Sequence, residues 1–233
     1  MAILSRCNES ESVPLKFPGR PHDVFSYSGA LVVFLGVTCY RSKFGVHEGH
    51  WSSIATLASA LWCEHFVRRV AECLKVHRYA NRQVPLSDAL GEYLYYWGFG
   101  VWNAVALSSR GSVRLDVIGW LGLLTFVTGE IGNAWAHWKL RALRRPNTDD
   151  RGIPEGGLFK WVSCANYTYE LIAWAGFCIL TRTLASVVYL AGIALVLGSW
   201  AWKRHKRYHE HFDGKEGRPR YPSERRAFIP FVF

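Results

Sequence analysis

Apolar positions gather into six long runs, separated by shorter polar segments that are mostly basic. A helix rises about 1.5 Å per residue and the hydrocarbon core of a bilayer is about 30 Å thick, so runs near 20 residues have membrane-crossing length. The pattern predicts helices over residues 24–40, 52–71, 89–107, 113–137, 158–180 and 184–202. The first is short, and the second carries Glu64, His65, Arg68 and Arg69 in its latter half. The fold class expected is all-α: a polytopic membrane protein with about six transmembrane helices. A polar segment over 1–23 would precede the helical domain of 24–202, and a basic tail over 203–233 would follow it.

The positive charges test that count. With six spans, both termini and the second and fourth loops share one side. That side holds Arg6, Lys16 and Arg20, then Lys75, Arg78 and Arg82, then Lys139 through Arg151, and every Lys and Arg from Lys203 onward. The other side holds only Arg41, Lys43, Arg110, Arg114 and Arg182, while Arg68, Arg69 and Lys160 fall within spans. Such asymmetry places both termini on the cytoplasmic or matrix-like side.

Composition agrees. The chain has 233 residues, is 50% hydrophobic and 15% aromatic, and carries a formal net charge of +10, which excludes disorder. Its mean hydropathy is only +0.01, because apolar spans are averaged with strongly basic loops. The spans account for the aromatic and basic content, so no nucleic-acid partner is expected. Six cysteines show neither a CxxC pair nor metal-ligand spacing, and no disulfide framework or metal site is expected. Residues 1–13 are polar, carry Glu9 and Glu11, and lack the apolar stretch of a cleavable signal. The same acids argue against a mitochondrial transit peptide.

Polar groups inside spans are costly and therefore mark candidate sites. Asn133, His137, Arg141 and Arg144 fall on one helical face and descend toward the basic side. That stripe suits a nucleotide pyrophosphate or 2′-phosphate, since Arg binds phosphate bidentately; ordinary basic flanking of a span is the other reading. Asn166 and Glu170 also share a face and could hydrogen-bond a ribose or an amide, or form an interfacial cluster with Tyr167 and Tyr169. The run Lys203–His211 carries His205, His209 and His211, with no carboxylate or Cys geometry to complete a metal set. It reads as a basic helix end at the membrane surface or a phosphate-binding lid. His47 and His50 read as loop residues, and no GxGxxG, P-loop, GxSxG or HExxH motif occurs.

Several stretches carry a resemblance. Ile153-Pro154-Glu155-Gly156-Gly157-Leu158-Phe159 and Val162–Tyr167 resemble the steroid reductase branch of the steroid 5α-reductase superfamily. Asn166-Tyr167-Thr168-Tyr169-Glu170, Glu130–Asn133 with His137, and Glu72–Tyr79 are similar to its very-long-chain trans-2-enoyl-CoA reductases, and Arg226–Phe231 to the C-terminus of both. The resemblance runs from about Trp62 to Phe233. It implies a helical membrane fold holding NADPH near its cytoplasmic face. Carried over by position, the pocket would use Asn133, Arg141, Arg144, Asn166, Glu170, His205 and Tyr208, and Tyr167 matches a tyrosine implicated in enoyl reduction.

The resemblance also implies a donor to the substrate carbonyl: a Glu in an early helix and a Tyr in the next. Here those positions read Ser26 and Phe66. Glu64, Tyr27 and Tyr167 are the nearby candidates to substitute, and spacing leaves the choice open. The helix that precedes these in the family, and the ubiquitin-like domain of enoyl-CoA reductases, are expected to be missing. Residues 214–220 read as an insertion before the closing motif.

Two functions follow. One is NADPH-dependent reduction of a C=C bond conjugated to a carbonyl in an enoyl-CoA or 3-oxo-4-ene steroid, in the endoplasmic reticulum as the resemblance implies. The other is a catalytically inactive member serving as a subunit of a larger membrane complex, for example in the mitochondrial inner membrane.

Overall fold

A proline ends each of two short strands, and a helix starts immediately after each. β1 (Lys16–Pro18) pairs antiparallel with β2 (Gln83–Pro85), with Phe17 opposite Val84. Proline fixes its own φ and keeps the residue before it extended, so each strand turns directly into a helix. Neither strand was expected from the apolar pattern. The ribbon ties the start of the chain to the segment before the third helix, through Gly19 N–H to Arg82 O and Leu86 N–H to Leu15 O, both 2.9 Å. This computed structural model describes residues 15–44, 53–79, 82–109, 114–144 and 152–233. His47 and His50, and the basic residues Arg110, Arg145 and Arg151, lie outside them.

Six α-helices follow: α1 (Gly19–Lys43), α2 (Ser53–Lys75), α3 (Leu86–Ser108), α4 (Val117–Ala142), α5 (Ala165–Thr181) and α6 (Leu184–His211). The fold is all-α apart from the ribbon. Among the described residues three helices, α1, α4 and α6, are long and apolar enough to cross a membrane. At 17 residues, α5 is about 25 Å long and falls short of a hydrocarbon core. Its neighbour α2 has the length but carries the charges that make up the site.

Two boundaries differ from the expected ones. The fifth helix starts at Ala165 rather than residue 158. Gly156 and Gly157 adopt φ of 89° and 49°, Gly157–Lys160 form a single 3-10 turn, and the following backbone pairs with the C-terminal segment. Ser163 N–H donates to Arg226 O and Arg226 N–H to Trp161 O, each at 2.8 Å. The sixth helix continues past residue 202 through the whole basic run, so the first part of the expected tail is helix.

The core is aromatic. Trp62 of α2 stacks on Phe34 of α1 at 5.2 Å and meets Trp174 of α5 edge-on at 5.4 Å. Such pairs bring geometry as well as buried area. The closest helix pair is α4 with α5, and glycine makes it possible. A Cβ on Gly129 would lie 2.3 Å from Ala173 N, and one on Gly176 would lie 2.2 Å from Phe126 N. Small residues let backbones approach, which is how helices associate where water is absent.

Gly176→Ala should therefore push α4 and α5 apart. Overpacking of this kind costs about 1–3 kcal/mol. A thermal melt in detergent should show a clear drop for Gly176→Ala and almost none for Gly36→Ala, whose Cβ would meet open space.

Candidate active site

On α2, His65, Arg68, Arg69 and Glu72 recur at helical spacing and share one face. Glu130, Asn133 and His137 do the same on α4, and Asn166 and Glu170 on α5. The three faces meet, and the charges pair inside the bundle rather than facing lipid. Arg68 reaches Glu130 at 2.7 Å through Nε, and Glu72 and Asn133 through Nη1. Arg69 donates to Glu72 at 2.7 Å and to the Tyr27 hydroxyl of α1 at 3.0 Å. His137 Nδ1 lies 2.8 Å from Glu72 Oε2.

His65 bridges two carboxylates, with Nδ1 2.8 Å from Glu130 and Nε2 3.2 Å from Glu170. A nitrogen lone pair facing a carboxylate oxygen repels it, so each of these two contacts requires a proton. Trp174 Nε1 also donates to Glu170, at 3.1 Å. Asn133 donates to Asn166 O at 2.7 Å and fixes the start of α5 against α4. Two buried polar atoms, Arg68 Nη2 and Asn166 Oδ1, have no hydrogen-bond partner among the described residues.

Beside this network opens a cavity of about 1030 Å³. Asn166, Tyr167, Arg141, Arg144 and Tyr208 line it, together with Tyr27, Arg69 and His137. Arg204 and Arg207 of α6, Arg78 after α2, and Arg218 in the C-terminal segment make its wall strongly basic. Arg204 sits 4.9 Å over the Tyr167 ring and Arg141 5.0 Å over Trp138. Asp23, held by Arg82 at 2.8 Å and by the Tyr79 hydroxyl at 2.8 Å, is an acidic point on that wall. Burial, and then the Asp23 charge, push the Tyr79 phenol above its ordinary value.

The remaining sequence candidates lie off the cavity. Asn133 and Glu170 belong to the network behind it. His205 faces Ser163 Oγ at 2.6 Å, and Ser163 accepts in turn from the Tyr221 hydroxyl at 2.7 Å, so His205 joins α6 to the C-terminal segment. Tyr208 stacks on Tyr221 at 5.1 Å. Ser26 and Phe66 are sealed in the core, and Ser26 Oγ has no partner among the described residues. Glu64 is exposed, with its carboxyl toward Glu130 at the edge of the network.

The sequence pattern did not mark Arg68, Arg69 and His65 as site residues, their charge counting only as a weakness of the second span, and Glu72 entered only through the resemblance. Their shared helical face was the available signal. Asp23 with Arg82 and Tyr79 was also missed; these residues meet through the ribbon, and nothing in their spacing announces it.

Two outcomes test this arrangement. Glu72→Gln keeps the shape and removes the charge facing Arg68 and Arg69; breaking a buried pair costs about 3–5 kcal/mol, so its melt in detergent should fall far more than that of Glu224→Gln at the surface. Burial, then the charges of Arg69 and His137, push His77 down to about 2. An unfolded His binds a proton near pH 6.5, so the unfolded state takes up protons that the folded state refuses. Stability should be full above pH 6.5 and decline as pH falls below it. In His77→Gln the decline between pH 6.5 and 4 should be shallower.

The family model described as 3-oxo-5-alpha-steroid 4-dehydrogenase matches residues 82–233, well over half of the chain. Among curated proteins, the chain is 34% identical to a protein named very-long-chain enoyl-CoA reductase from Dictyostelium discoideum, over 72% of this chain and 55% of that protein. It is 32% identical to a probable very-long-chain enoyl-CoA reductase from Caenorhabditis elegans, over 76% and 58% respectively. It is 29% identical to 3-oxo-5-alpha-steroid 4-dehydrogenase 2 of Sus scrofa, over 77% and 69%. The chain thus spans a little over half the length of the first two relatives. With the matched segment covering α3 through the C-terminal strap, and with the helical membrane architecture in place, the chain belongs to the 3-oxo-5-alpha-steroid 4-dehydrogenase family.

Proposed function

We propose that the chain is an NADPH-dependent reductase of a C=C bond conjugated to a carbonyl, acting on a lipid of the 2-enoyl-CoA or 3-oxo-4-ene steroid type. The observation that carries this reading is the Asn166 amide oxygen, buried without a partner among the described residues beside a cavity lined by a cluster of arginines. A buried polar atom without a partner costs about 1–3 kcal/mol, and a carboxamide N–H from a ligand would satisfy it. Arginine forks suit the pyrophosphate and 2′-phosphate of the same ligand. The residues present therefore fit NADPH, whose chemistry when bound is hydride donation to the β-carbon.

The chain's own groups divide the remaining work. Arg141, Arg144, Arg204 and Arg207 would hold phosphates at the basic wall. Asn166 would orient the nicotinamide carboxamide, kept in place because Asn133 anchors its backbone carbonyl. Tyr167, under Arg204, is the phenol placed to give a proton to the α-carbon, with water at the cavity mouth replacing it. A buried cationic wall near the carbonyl favours the negative charge that develops there.

A second reading has its own support. The two positions where the resemblance expects carbonyl donors are Ser26 and Phe66, and both are closed into the core. A structural subunit that keeps the fold without the chemistry would look the same there. Calorimetry on the purified full chain separates the two. Micromolar NADPH binding is expected, weaker by about tenfold for NADH and for Asn166→Ala, as loss of one buried hydrogen bond implies. Absence of binding would favour the structural reading, and native purification should then recover the chain only within a larger assembly.

A further inference from the structure

Four tyrosines line the cavity, Tyr27, Tyr79, Tyr167 and Tyr208, and of these Tyr27 accepts from an arginine of the ion network while Tyr79 donates to Asp23. Tyr27 of α1 is 8% exposed, and its ring packs 6.2 Å from Phe66, the position that lacks the tyrosine of the resemblance. The Arg69 guanidinium lies 5.0 Å over that ring and donates to the phenolic oxygen at 3.0 Å. Arg69 is itself fixed by Glu72 at 2.7 Å. With its oxygen accepting from Arg69, the Tyr27 hydroxyl keeps its own hydrogen for a group inside the cavity. Tyr167, by contrast, lies beneath Arg204 of α6.

We propose that Tyr27, held by Arg69, is the hydrogen-bond donor to the carbonyl oxygen of the conjugated substrate, in place of the hydroxyl that Phe66 lacks. This deepens the reductase reading and rests on it. The carbonyl oxygen accepts from Tyr27. A hydride with its electron pair forms the new C–H bond at the β-carbon, and the C=C pair moves to give an enolate. Its negative charge rests on the oxygen facing Tyr27 and Arg69. A proton from Tyr167 then closes the α-carbon and restores the carbonyl, and water reprotonates Tyr167. NADPH would supply the hydride and its electron pair, and Tyr27 keeps its proton throughout. The shared requirement is a conjugated carbonyl, supplied by an enoyl thioester or by a 3-oxo-4-ene steroid.

The test uses the full chain in lipid nanodiscs, with trans-2-hexadecenoyl-CoA and androst-4-ene-3,17-dione as separate probes. Infrared difference spectra of each carbonyl-labelled probe, bound without nucleotide, should show the carbonyl band at lower wavenumber in the wild type than in Tyr27→Phe. Whichever probe shows the shift identifies the source of the carbonyl. With NADPH present, Tyr27→Phe should lower kcat by about 100-fold or more, as loss of one oxyanion donor does, while NADPH affinity stays within about twofold. Adding Phe66→Tyr to Tyr27→Phe should recover part of the loss by returning a hydroxyl nearby. An unshifted carbonyl band with near-wild-type kcat in Tyr27→Phe would overturn the role of Tyr27 and leave the reductase reading standing. A tenfold or greater loss of NADPH affinity in Tyr27→Phe would also overturn it, by assigning the phenol to the cofactor. A wild type that neither binds NADPH nor turns over either probe would overturn the reductase reading and this inference together.

Discussion

Three carboxylates buried among helices, Glu72, Glu130 and Glu170, can remain there only if cations meet them. Arg68, Arg69 and His65 do so, all from one face of α2. This single constraint sets the relation of α2 to α4 and α5, because each carboxylate comes from a different helix. Hydrophobic burial alone would permit several rotations of α2 within the bundle. The ion pairs permit one, since any other leaves unpaired charge in a low-dielectric interior. Buried pairs are weak evidence for stability in general; here their clearer consequence is that register.

The cavity inherits its chemistry from the same arrangement. Arg69 belongs to the network on one side and to the cavity wall on the other, through Tyr27. Asn166 is placed by its backbone bond to Asn133, and its side-chain oxygen has no hydrogen-bond partner among the described residues. Arg141 of α4 and the arginines of α6 make that wall predominantly basic, and the α6 part of it exists because α6 continues as helix beyond its apolar part. The C-terminal segment straps this extension down through Tyr221, Ser163 and His205. A rigid polar floor and a basic roof on one long helix are what an extended anionic ligand would need.

Much of this was legible in the chain. The six helices follow from apolar run length, and the stripe of Asn133, His137 and Arg141 follows from helical spacing, whereas Arg144 lies just past the end of α4. Residues brought together by long-range pairing were not legible: the strands joining Phe17 to Val84, the turn that delays α5 to Ala165, and the contact of Asp23 with Arg82. Each depends on a partner more than 50 residues away. The charges of α2 were visible but misjudged, because a span is scored by its mean apolarity while its energy depends on where the charges point. Ser26 and Phe66 stood out as departures from the pattern that the resemblance implies. Only the structure shows that the Tyr27 hydroxyl accepts from Arg69 at the cavity wall, with its ring against Phe66.

Hydrogen–deuterium exchange on the full chain, with and without NADPH, tests most directly whether network and cavity form one nucleotide site. Protection is expected at the end of α4 around Lys139–Ala142, at the start of α5 and along Lys203–His211 of α6, with little change near Asp116 and Arg182 at the far end of the bundle. Protection confined to that far end, or none anywhere at saturating NADPH, would contradict the site described here.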